Sequence, residues 1–236
     1  MRLAWNNLLK TASSISATNE DANYEIENVY SKWKKQKFQA DTTSSVVTIA
    51  WAADQTISCI GWAYHNMSGI SAVMKNAAAA TLATWAPTPT YQTDVSYQTE
   101  LTTVRSIVIT ITSASTLYLG GLFFGTYLDV DKEPTQALPY KSTANITKSL
   151  GGQVAGRTGV ILRSAPLTFP YITNTQRVAF ETAYDSLQEL YPFWLDLWQS
   201  SHATFQPIYG HFTSGINTSK DNNQAVTVSF DFEEAN

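Results

Sequence analysis

The chain has 236 residues, enough for one large or two modest cores. Only 14% of them are charged and the net charge is −4, which excludes a general nucleic-acid binder; Ser, Thr, Asn and Gln supply the polarity instead. Cys59 is the one cysteine, which excludes an intrachain disulfide and a thiolate zinc site.

The chain starts without a secretory pattern, because Arg2 precedes only a broken apolar run that Lys10 interrupts. The alanine run 77–80 is too short to span a bilayer, so no membrane insertion is expected. A polar, cap-rich stretch from Asn23 follows, in which Lys32, Lys34, Lys35 and Lys37 are offset by Glu20, Asp21, Glu25 and Glu27. That balance reads as a solvated loop rather than a phosphate site.

Strands are expected over 46–51, 56–64, 71–75, 105–112 and 117–127. The second of these is apolar on both faces, with Ile57, Cys59 and Ala63 on one and Ile60, Trp62 and Tyr64 on the other. Such a strand must be covered twice, once by a second sheet and once by something else, a partner chain being one option. Ile107, Ile109 and Ile111 alternate with Ser106, Val108 and Thr110, the pattern of a half-buried strand. The Gly120-Gly121 pair marks a bulge or a close approach, and Pro87 and Pro89 make residues 85–90 a loop. The first 128 residues therefore read as a β-sandwich, residues 129–142 as a linker rich in proline and charge, and residues 143–236 as a smaller α+β domain.

In that second part, Gly151-Gly152 and Gly156-Arg157 suggest a hairpin, followed by strand at 158–163 and 167–169. Thr173 and Gln176 form a capping box at the head of a helix over 174–191. Its apolar face comprises Phe180, Ala183 or Tyr184, Leu187, and Leu190 or Tyr191. Phe193, Trp194 and Trp198, with Trp62 upstream, are the candidate core or interface anchors. The closing strand places Val226, Val228, Phe230 and Phe232 inward.

No catalytic constellation is recognisable. His65, His202 and His211 are dispersed, and there is no phosphate-cradling glycine loop and no nucleophile elbow. Asp129, Asp131 and Glu133 read as a solvated boundary loop, so neither enzymatic activity nor a metal or cofactor is expected.

Tyr24, Asn28, Val29 and Trp33, followed by a Val/Thr/Ile strand and then one ending in His65-Asn66, make a recognisable pattern. It resembles the galactose-binding-like (discoidin-like) sandwich of minor tail and baseplate proteins of long-tailed bacteriophages. The second half resembles the same proteins in its Gly151-Gly152 turn, Arg157 and Arg163, Leu167-Thr168-Phe169, the capped helix, Pro192-Phe193-Trp194 and the final alternating strand. Residues 77–94 lie outside the resemblance. It implies a virion structural protein of the tail tip, made in the host cytoplasm. Such a protein would assemble as a homo-oligomeric ring or hub-attached subunit beside hub, distal tail or fibre proteins. The alternative is a carbohydrate-binding adhesin of the same tail tip that touches a host surface glycan. The fold would then place Trp33, Tyr64, His65 and Asn66 as candidate sugar contacts; in the competing reading Trp33 plugs the sandwich and His65-Asn66 make the turn after a core strand.

Overall fold

The computed structural model describes residues 1–30, 37–130, 140–142, 145–148, 154–157, 161–197, 207–220 and 225–235. In chain order the strands begin with β1 (Arg2–Ala4), β2 (Ser14–Ala17), β3 (Phe38–Gln39), β4 (Ser44–His65) and β5 (Met67–Lys75). They continue with β6 (Thr81–Trp85), β7 (Thr93–Ser113), β8 (Tyr118–Gly125) and β9 (Leu128–Asp129). Next come β10 (Tyr140–Ser142), β11 (Asn145–Lys148), β12 (Val154–Arg157), β13 (Ile161–Ile172) and helix α1 (Asn174–Leu187). The chain ends with β14 (Phe193–Asp196), β15 (Ile208–Phe212), β16 (Asn217–Lys220) and β17 (Val226–Glu234). The protein is mainly β and its described ladders are antiparallel.

The residues divide into two compact units, neither of them a single run of chain: 1–129 with 193–209, and 130–192 with 210–236. Segment 193–209, which sequence pattern alone assigns to the second part, belongs to the first unit, and the division falls within β15. Most of the linker expected over 129–142, the Gly151-Gly152 turn, Trp33, Trp198 and His202 lie outside the described residues.

The first unit is built on a sheet of order β3-β8-β4-β7-β5-β6, with β2 also pairing with β4. The two strands expected over 46–51 and 56–64 are one long strand, β4. The register shifts between Ala50 and Cys59, where Ala52, Ala53 and Asp54 are exposed; the ladder is perturbed there, but the chain keeps its direction. Likewise the expected strand over 105–112 is the second half of β7, where Ile107, Ile109 and Ile111 are fully buried.

A second, smaller layer of the same unit pairs β14 with β1 and β1 with β9, in the registers Leu3↔Leu195 and Leu3↔Leu128. This layer explains the two-faced strand. A Cβ on Gly61 of β4 would lie 3.1 Å from the indole of Trp194, so the glycine leaves room for that ring to seat on the sheet. Trp194 packs against Phe123 at 5.5 Å and Tyr209 at 4.3 Å between ring centroids. The covering of that face thus comes from the chain itself. Trp62, Phe193 and Trp194 are buried core residues, and Cys59 is a small buried hydrophobe whose thiol pKa burial pushes up.

The second unit contains the ladders β10-β13-β17 and β16-β17, the β11–β12 hairpin and α1. Thr173 and Gln176 form the expected capping box, the Thr173 hydroxyl accepting the Gln176 N–H and the Gln176 side chain accepting the Thr173 N–H. Phe180 stacks on Phe169 at 5.5 Å and meets Phe230 at 5.8 Å, which seats the helix on the β13–β17 pair. The helix ends at Leu187 rather than Tyr191, because Gln188 adopts a left-handed φ of 50° that terminates it. Ala183, not Tyr184, occupies the buried position of its face, and Val226 is only half-buried.

Candidate functional site

The cap-rich loop of the first unit is built from its own polar side chains. The Glu20 carboxylate accepts the Ile26 N–H, and burial followed by the charges of Glu27 and Glu25 raises its pKa, against that bond. Asn28 Nδ2 donates to the Lys37 carbonyl at 3.2 Å, and the Tyr24 carbonyl accepts the Gln39 N–H at 3.0 Å. These two bonds tie the Tyr24–Asn28 turn to β3. Because Gln39 pairs with Tyr118 of β8, Tyr24, Lys37 and Tyr118 come together at one end of the sheet.

Lys37 Nζ stands 4.7 Å from the Tyr118 ring centroid and 5.8 Å from that of Tyr24. Tyr24 is 38% exposed, and Tyr118 and Lys37 are half-buried. Among the described residues neither phenol hydroxyl has a hydrogen-bond partner, and the Lys37 ammonium has no ion pair. Two aromatic rings and a lysine ammonium therefore meet at an accessible edge, and the two phenols carry hydroxyls without a partner among the described residues. Apolar ring surface beside convergent donors is the composition of a small-ligand site.

Asn66 holds this edge in place. Its Oδ1 accepts the Tyr118 N–H at 2.9 Å, and its Nδ2 donates to Ser115 Oγ at 3.0 Å and to the Thr116 carbonyl at 2.8 Å. His65 is 3% exposed and equally committed. Nδ1 accepts the Met67 N–H at 2.9 Å, so Nε2 carries the proton and donates to the Tyr91 carbonyl at 2.8 Å. Tyr64 has a left-handed φ of 52° and lies edge-on to Tyr209 at 5.9 Å. Of the four sugar contacts expected from the sequence, His65 and Asn66 thus spend their polar atoms on the chain, with Asn66 shaping the edge that presents Tyr118. The sequence shows Lys37 only as one of a charge-balanced group of lysines and Tyr118 only as a strand residue; the pairing of Gln39 with Tyr118 brings them together, and no local spacing signals it.

A second polar cluster in the first unit centres on half-buried Arg2. The Arg2 guanidinium lies over the rings of Tyr97 and Tyr127, at 4.3 and 4.8 Å, and 3.6 Å from Asp129. The Tyr97 hydroxyl donates to buried Asp196 at 3.2 Å, and burial raises its pKa well above the ordinary value. Among the described residues no group of three or more His, Cys, Asp or Glu side chains is placed to hold a metal. No described helix is long and apolar enough to cross a membrane.

The chain matches no family model and no curated protein. Solved structures with similar outlines include a fucose binding module of Streptococcus pneumoniae, at TM-score 0.42 and 11% identity over 50% of this chain and 95% of that one. Another is a chitosan-binding module from a chitosanase/glucanase of Paenibacillus sp., at TM-score 0.42 and 13% identity over 51% of this chain and 99% of that one. A putative alpha-L-fucosidase of Bacteroides thetaiotaomicron scores 0.45 at 13% identity over 51% of this chain, which spans only 28% of that enzyme. Likenesses of this size assign no function.

Proposed function

We propose that the first unit is a carbohydrate-recognition module whose ligand edge is formed by Tyr24, Lys37 and Tyr118. The observation that carries this reading is the convergence of two accessible tyrosine rings on a lysine that has no ion pair among the described residues, held there by Asn28 and Asn66. Tyrosine rings offer apolar faces to the C–H surface of a sugar, while the hydroxyls and ammonium meet its oxygens. Glycan-array binding of the full chain tests it. The protein is expected to bind a subset of glycans, and Tyr118→Ala to weaken binding roughly tenfold or more, the equivalent of about 1.4 kcal/mol. Absence of binding to any glycan would overturn the proposal.

A second reading places this module in a bacteriophage tail tip, as a structural subunit beside hub, distal tail or fibre proteins. It is favoured by the resemblance that runs through both halves, whose capped helix, Phe193-Trp194 strand and alternating final strand are all formed elements. Mass spectrometry of purified phage particles decides it, since a structural subunit must be present at fixed stoichiometry.

A further inference from the structure

We infer that the glycan bound at the Tyr24–Lys37–Tyr118 edge is an anionic one, carrying a carboxylate or sulfate; this rests on the carbohydrate-recognition reading above. Lys37 is the charged member of the trio, and its setting differs from that of the ion-paired cations. Arg2, Arg105, Arg163 and Arg177 each face a carboxylate at 3.6 Å or less. Lys37 instead faces two rings, and among the described residues its ammonium has no carboxylate within 4 Å and no hydrogen-bond acceptor. A ring quadrupole orients an ammonium without neutralising it and leaves its N–H donors available.

The carbonyl of Lys37 is anchored by Asn28, and its β3 neighbour Gln39 is in register with Tyr118, so the backbone under the cation is fixed from two sides. An anionic group arriving beside the rings would gain a charge-assisted bond to Nζ, and the Tyr24 and Tyr118 hydroxyls, which have no partner among the described residues, could donate to it. Such bonds are about twice as strong as neutral ones. A neutral sugar would gain only the ring contact and ordinary hydrogen bonds. The edge therefore discriminates by charge, and its affinity falls as salt rises.

The test is an array of matched pairs read with the full chain: uronic-acid oligosaccharides and their methyl esters, sialylated and desialylated glycans, and sulfated and unsulfated ones. Binding is expected to favour the charged member of a pair about tenfold, the difference between a charge-assisted and a neutral hydrogen bond. Lys37→Gln should abolish that preference and Lys37→Arg should keep it. The carboxylated and sulfated arms identify which anion is used. Equal binding to both members of every pair would overturn the anionic assignment while leaving carbohydrate recognition standing. An acid preference that persists in Lys37→Gln would overturn the role of Lys37. No binding to any member would overturn both.

Discussion

His65 shows how a buried titratable side chain can be structural and still leave a signature in solution. Burial is the largest influence on its imidazole and lowers its pKa; the bond to the Tyr91 carbonyl and the charge of Asp94 act in the opposite direction and do not prevail. The folded-state pKa therefore lies below the unfolded value of about 6.5, and the unfolded chain binds more protons in the interval between them. The stability this group contributes is complete above about pH 6.5 and is lost as the pH falls through the folded-state pKa. Replacing His65 with Gln should cost on the order of 1–3 kcal/mol at neutral pH, because the Met67 N–H and the Tyr91 carbonyl lose a fitted partner. Thermal melts of both proteins from about pH 7.5 to about pH 5 provide the check, and the gap in Tm should narrow on acidification. A gap that stays constant would mean that His65 does not titrate with a depressed pKa.

Among the elements, α1 carries the sharpest contrast between an inner and an outer face. Leu187 is 2% exposed and Phe180 is fully buried between Phe169 and Phe230, whereas Glu181 pairs with Arg177 one turn away at the surface. Leu187→Ala should cost about 2–5 kcal/mol by opening a cavity, and Glu181→Ala under about 0.5 kcal/mol. Chemical denaturation of the two variants in the full chain compares them directly. A larger loss for Glu181→Ala would put the wrong face inward. This helix was legible in advance because its capping box and apolar spacing are local, as is the alternation of Val228, Phe230 and Phe232. The first half of β7 was not, since Thr93, Asp94 and Val95 are buried in succession and Glu100 is exposed, so no period of two survives. Nor was the ligand edge. Lys37 is one of several lysines in a charge-balanced loop, and Tyr118 reads as an ordinary strand residue until the Gln39↔Tyr118 pairing brings the two together.

At the scale of the whole molecule, the first unit is discontinuous in sequence, and that makes a simple cut of the chain informative. Its smaller layer takes β14 from residues far beyond the rest, placing Trp194 over Gly61 and Leu195 opposite Leu3. A fragment ending at Asp129 would keep every strand of the larger sheet yet lose Phe193, Trp194, Leu195 and Tyr209 from the face that those residues cover. Exposing that much aromatic and aliphatic surface removes packing that no surface residue can replace, and it leaves the edge of β1 without its β14 partner. The fragment should therefore bind a hydrophobic dye, show weakened near-ultraviolet circular dichroism and associate at concentrations where the full chain does not. Restoring residues 193–209 through a flexible linker should reverse all three changes, because the missing layer would then be supplied within the same chain. A fragment of residues 1–129 that unfolds cooperatively as a dye-silent monomer would show that β14 is an accessory to the first unit rather than part of its core.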